Sequence, residues 1–214
     1  MKYLLLSSFL LFILSSEQLI SQETGSEIKI IKFGFNYGQG EQETFPFNSP
    51  DYSYDAVFYK FQFNYGLFRK GKWIFELNAE PALYIVEHQL LNKYYVRPDW
   101  GDDYLEKRGE FTQKKTINEY VINFGFLSRY MIFNRFSIYA LGSIGPMFSD
   151  TDTERMSAGF AFSDIFALGS SYQIKRFLID LRYSLRHVSN ANIRKPNNGY
   201  NSANLEFGLT YQIN

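Results

Sequence analysis

The chain has no cysteine and only two histidines, His88 and His187, in 214 residues. Without cysteine there is no disulfide, no thiolate nucleophile, no cysteine-held zinc and no lipoprotein anchor. Two histidines leave little for a multi-histidine metal centre, so neither metal nor cofactor is expected. An excess of either charge is also missing: 22 Lys and Arg balance 22 Asp and Glu, which excludes the basic face of a nucleic-acid binder. Beyond residue 22 no apolar run approaches the roughly 18 residues that a membrane-spanning helix needs. The one oily stretch, Leu4 to Leu14, follows Lys2, is broken by Ser7 and Ser8, and leads into Ser15, Ser16 and Ser21. It is too short to span a bilayer and reads as a secretory signal. Residues 1–21 are therefore expected to be a signal peptide and residues 22–214 a single domain.

What the chain has in abundance is aromatics: 22 Phe, 17 Tyr and 2 Trp, at a mean hydropathy of only -0.26. A transmembrane barrel gives that combination, because one face of each strand meets lipid and the other a polar lumen. A soluble all-β domain is the alternative, but the oily faces are too uniform for it. Ile31, Phe33, Phe35 and Tyr37 alternate with Lys32, Gly34, Asn36 and Gly38, the period of a strand with two unlike faces. Val57 to Leu67 repeats the pattern with Lys60, Gln62 and Asn64 on the polar side and Phe58 as an exception. Trp73 to Ile85 follows after a tight turn at Gly71, and Pro81 on its oily face predicts a local bulge.

A polar loop is expected at Glu41–Tyr54 and a long one at Glu87–Lys115. Tyr120, Ile122, Phe124 and Phe126 mark a fourth strand. The fifth, Phe136–Met147, has faces that are hard to tell apart. The sixth, Gly159–Tyr172, carries Asp164 out of place on its oily side. Strands over 176–189 and 201–213 complete an eight-stranded antiparallel transmembrane β-barrel, with short turns alternating with longer loops as in outer-membrane proteins. Eight strands leave an interior filled by side chains. His88, at the end of the third strand, reads as an interface residue. Asp102 and Asp103 in the long loop lack diagnostic cation-binding spacing.

Parity carries the argument near the C-terminus. Phe177, Ile179, Leu181, Tyr183 and Leu185 face lipid, whereas Asp180, Arg182, Ser184 and Arg186 face the lumen. Strict alternation then places His187 and Ser189 on the lipid side, and Asn201 likewise on the next strand. Imidazole and hydroxyl two residues apart on one strand face suit nucleophilic catalysis, and a third group, here the Asn201 amide oxygen, is needed to hold the imidazole tautomer. A polar fringe where the barrel meets water explains the same residues without chemistry. Lumenal Glu206 is expected to pair with Arg182 or Arg186.

The run His187-Val188-Ser189-Asn190-Ala191, followed by Lys195-Pro196-Asn197-Asn198-Gly199-Tyr200-Asn201-Ser202, resembles the signature of the PagL lipid A deacylases and their acyloxyacyl-hydrolase-like relatives. The clear match spans about 30 residues. The resemblance implies an eight-stranded barrel of the bacterial outer membrane that removes an ester-linked acyl chain from lipid A. It implies Ser189 as nucleophile and His187 as general base, with Asn190, Asn197 and Gly199 shaping the loop and oxyanion hole. The chain departs at Asn201, where the family has a glutamate. An amide can still accept the imidazole N–H but cannot neutralise the imidazolium, and the same exchange in a trypsin-like triad costs about ten-thousandfold. With both termini periplasmic, the loop after Ser189 lies outside, where Arg194 and Lys195 can pair with lipid A phosphates. The expected partner is thus lipopolysaccharide of the outer leaflet, engaged by a monomer or homodimer. The competing readings are a non-enzymatic barrel of the OmpA or OmpX type and a barrel acyltransferase, which a lumenal acyl cavity would favour.

Overall fold

In the computed structural model, which describes residues 26–213, the chain is a ring of antiparallel strands. A two-residue strand, β1 (Ser26–Glu27), lies against the end of β3. The barrel consists of β2 (Ile31–Glu41), β3 (Tyr52–Lys70), β4 (Trp73–Leu90), β5 (Lys115–Met131), β6 (Phe136–Ser149), β7 (Gly159–Ile174), β8 (Phe177–Ser189) and β9 (Tyr200–Gln212). Each pairs with its sequence neighbours, and β2 closes on β9. Short turns at 71–72, 132–135 and 175–176 mark one end, and loops at 42–51, 91–114, 150–158 and 190–199 the other. The expected signal peptide, residues 1–21, falls outside the described residues.

The two faces follow the alternation read from the sequence. Phe33, Phe61, Phe124, Phe166, Leu181 and Phe207 are exposed on the outer wall, while Lys60, Glu76, Arg129, Arg182, Arg186 and Glu206 are sealed inside. The buried charges are paired, as they must be in a space without bulk water. Low in the lumen, Glu76 bridges Lys32 (2.7 Å) and Arg129 (2.9 Å). Midway, Glu206 accepts from Lys60 at 2.9 Å and lies 3.5 Å from Arg182, which also holds Glu80 at 2.7 Å. Higher up, Arg186 pairs with Glu119 at 2.7 Å. The lumenal Glu206–Arg182 pair is thus present, whereas Arg186 takes a different acid. Fully buried Phe58 stacks on Tyr84 inside the barrel, ring centroids 4.6 Å apart.

Four expectations change. Pro81 causes no bulge: β3 and β4 skip the rungs between Lys60↔Ala82 and Phe63↔Ala79 and resume in the same register. The slip occurs instead between Gly66 and Phe68. His88 is no interface residue. It is 1% exposed, and its Nε2 lies 2.9 Å from Glu154, beneath the rings of Tyr52 and Tyr200. The loop at 91–114 is not simply polar coil, because it holds two 3-10 turns and a helix, α1 (Tyr104–Phe111), which packs Phe111 on Leu90 and Val96. Nor does the loop at 42–51 only project into solvent. It folds against the outer wall, where Tyr183 donates its hydroxyl proton to the Phe45 carbonyl at 2.7 Å.

Candidate active site

The site lies on the outer wall at the loop end of β7, β8 and β9. Register builds it. The β8–β9 pairing sets His187 opposite Asn201, and the β7–β8 pairing sets Asp164 opposite His187 and Phe162 opposite Ser189. A row Asp164–His187–Asn201 therefore crosses three strands, with Ser189 two residues beyond His187 toward the loop. His187 and Asp164 are exposed, and Ser189 and Asn201 half-buried. His187 Nδ1 lies 2.8 Å from Asn201 Oδ1. An amide oxygen only accepts, so Nδ1 carries the proton and the Nε2 lone pair is left free. No hydrogen bond joins Ser189 to His187 among the described residues. Their strand spacing of about 6.6 Å lets the two side chains meet over an incoming group.

The loop at 190–199 supports this row from above. Asn190 is buried; its amide Nδ2 donates to the carbonyls of Arg194 (3.0 Å) and Pro196 (3.4 Å), and its backbone N–H donates to Asn197 Oδ1 at 2.7 Å. Asn197 Nδ2 in turn donates to Asn192 Oδ1 at 3.3 Å. Both asparagines thus shape the loop. Gly199 has φ +65°, and a Cβ there would stand 2.3 Å from the Val188 carbonyl oxygen and 3.3 Å from His187 Cε1. Only glycine lets the backbone pass so close to the imidazole.

Arg155, to which the sequence drew no attention, clamps this passage. Its Nε donates to the Gly199 carbonyl at 2.7 Å, its own carbonyl accepts from Asn198 N at 2.7 Å, and its guanidinium lies 4.2 Å over the Tyr52 ring. Tyr200 contacts Thr153 and stacks near Tyr54, so the residue before Asn201 is anchored in the lumen. Arg194 and Lys195 are exposed; Arg194 Nη1 donates to the Ala158 carbonyl at 3.3 Å, and the Lys195 carbonyl accepts from the Ser157 hydroxyl at 2.7 Å.

An interior cavity lies at the end of the barrel away from the polar row. It measures about 930 Å³ and opens at the turn end, and Lys32, Arg69, Lys72, Arg129 and Arg135 line it. Ile74, Met131, Phe133, Phe136 and Leu178 share that lining with the cations.

A sequence model of the family described as lipid A 3-O-deacylase (PagL) matches residues 62–210, most of the chain. No curated protein sequence matches. Among solved structures, the chain is similar to the outer-membrane enzyme PagL at 10% identity, over 83% of this chain and 97% of that one, with a TM-score of 0.56. It is also similar to Neisserial surface protein A (11% identity, 88% and 99% covered, TM-score 0.45). A third is OprG from Pseudomonas aeruginosa (11% identity, 88% and 98% covered, TM-score 0.45). The similarity to PagL establishes the barrel fold, and the family match extends through β8 and most of β9, where the row of polar residues sits. The chain belongs to the lipid A 3-O-deacylase (PagL) family, a family of the bacterial outer membrane.

Proposed function

We propose that this barrel hydrolyses an ester-linked acyl chain of lipid A with Ser189 as nucleophile, His187 as general base and Asn201 as the acceptor that orients the imidazole. The observation that carries the reading is the 2.8 Å contact between His187 Nδ1 and Asn201 Oδ1 on a wall faced mostly with Phe, Tyr, Leu and Ile. Polar side chains on that wall are unfavourable unless they meet a ligand or a headgroup.

The chemistry runs in two steps. Ser189 Oγ bonds to the ester carbonyl carbon as its proton moves to His187 Nε2. The C–O bond to the sugar then breaks, and the departing alkoxide takes that proton, leaving the acyl chain on Ser189. Water, deprotonated by the same nitrogen, attacks the acyl carbon and releases the fatty acid and free serine. Asn190, Asn197 and Gly199 shape the loop that would face the oxyanion. Arg194 and Lys195 present cations at headgroup height for the phosphates of lipid A. All these residues come from one chain, so a monomer suffices.

The test is mass spectrometry of lipid A from cells making the wild-type chain, Ser189→Ala or His187→Ala at matched barrel levels. The expected result is loss of one ester-linked acyl mass with the wild type and none with either variant. Unchanged lipid A in all three would favour the structural barrel.

A further inference from the structure

The row that holds His187 has an acidic end. The two-residue turn at 175–176 fixes the β7–β8 register and brings Asp164 directly opposite His187, on the side away from Asn201. Asp164 is exposed on the outer wall between half-buried Phe162 and exposed Phe166. Among the described residues no hydrogen bond or ion pair holds its carboxylate, and across the β7–β8 rung it faces His187. A carboxylate on a lipid-facing strand is unfavourable without a counter-charge. Asn201 supplies the oriented acceptor for Nδ1–H but no net charge, so the imidazolium formed during the reaction lacks a compensating anion on that side.

Resting on the reading that Ser189 and His187 are the catalytic pair, we infer that Asp164 supplies the negative charge for the His187 imidazolium, so that orientation and charge come from two residues on opposite strands. As Ser189 Oγ bonds to the acyl carbon, its proton passes to Nε2 and the ring turns cationic between the Asn201 amide and the Asp164 carboxylate. The proton then leaves with the departing alkoxide, and Asp164 itself takes none. Asp164 is a positioning residue in this scheme, acting through the imidazole. Three other acids lie on the same wall, the furthest being Glu87, which sits opposite Asp55 and pairs with Lys114. Glu41 is paired in register with Ala203, beyond β9, and accepts from the Thr44 hydroxyl, and Asp55 lies further round opposite Glu41. The nearby cations, Arg155 and Arg194, are held on the Gly199 and Ala158 carbonyls.

The experiment uses the full chain in detergent micelles and two readouts. One is the rate at which a long-chain alkyl phosphonofluoridate without a hydroxyl group labels Ser189; the other is kcat and KM for lipid A. Asp164→Asn is expected to slow both labelling and kcat by about 10- to 100-fold, the scale of one charge at neighbouring-strand distance in a half-hydrated site, with KM nearly unchanged. Glu41→Gln is expected to leave both rates as they are. Adding Asn201→Glu to Asp164→Asn is expected to restore labelling to within about threefold of wild type, because the charge returns on the other side of the ring. Equal losses from Asp164→Asn with and without Asn201→Glu would overturn the inference. So would slower lipid A turnover with unchanged labelling, which would make Asp164 a substrate contact. A wild-type chain that is neither labelled at Ser189 nor active, or Ser189→Ala that still deacylates, would overturn the catalytic reading itself. Normal labelling by Asp164→Asn beside an inactive Ser189→Ala would overturn the inference alone.

Discussion

Gly199→Ala would test whether the loop after β8 sets the imidazole in place. The residue sits at φ +65°, where an L side chain costs about 1–2 kcal/mol. That strain alone would not silence an enzyme. The larger effect is steric: the new Cβ would stand 2.3 Å from the Val188 carbonyl oxygen, backbone against backbone, and 3.3 Å from His187 Cε1. Relief requires this stretch to move off β8 by about 1 Å. Such a shift pulls on the rung His187↔Asn201 and on the Arg155 contact to the Gly199 carbonyl. A displacement of about 1 Å in a reacting constellation costs on the order of 100-fold in rate. Gly71→Ala is the control, because it has a similar φ of +58° but nothing within 4 Å of the added Cβ, at the opposite end of the barrel. Initial rates of acyl release from lipopolysaccharide micelles, with folding checked by the heat-dependent gel mobility of the barrel, should show about a 100-fold loss for Gly199→Ala and none for Gly71→Ala. Folded Gly199→Ala protein within threefold of wild type would refute the claim that this close passage fixes His187.

Glu206→Ala removes the acid that holds Lys60 and lies beside Arg182 in a sealed interior. Lys60 and Arg182 are then left to share Glu80; removing one partner of a buried charge network costs up to about 3–5 kcal/mol, so the denaturant midpoint of refolded barrel in micelles should fall clearly, and an unchanged midpoint would show that water reaches these groups. Asn201→Glu alone should retain or raise deacylation, since a carboxylate at that rung accepts the same N–H and adds charge. Complete loss of lipid A deacylation in this variant would count against the His187–Asn201 geometry.

The barrel was legible wherever the two faces of a strand differ. Lys60, Gln62 and Asn64 against Phe61, Phe63 and Tyr65 leave no choice of side. It faded in β6, where Tyr139 and Leu141 point inward while Ile138 and Ile144 point outward. Both faces are apolar there, so alternation carries no sign. Tyr139 faces in because its hydroxyl serves Arg182 and Asp180, a long-range pairing that no local pattern announces. His88 was misplaced for a related reason: its partner, Glu154, arrives from a loop 66 residues away. For the site, parity along β8 and β9 was enough to put His187, Ser189 and Asn201 on one wall. Asp164 stood out as an acid on an oily face, but its place beside His187 depends on the length of one turn. Counting a two-residue turn between Ile174 and Phe177 would have found it. Arg155 carried no such signal, because its role comes from two loops meeting.

Where the polar row sits decides whether a lipid-facing site is affordable to the fold. A charged side chain at mid-membrane on a barrel costs about 2–4 kcal/mol, falling to about 0–1 kcal/mol at the interface. His187 and Asn201 occupy the last rungs of β8 and the first of β9, directly below the loop at 190–199, and Asp164 shares their level. The same residues four rungs lower would stand among Leu181, Tyr183 and Leu205, deeper on the apolar wall. Height on the wall would also suit the proposed substrate, because an ester bond of lipid A lies between its sugar and its hydrocarbon. On the proposed reading, the position that makes the polar row least costly is also the one where that bond would arrive, so stability and function would favour the same rung.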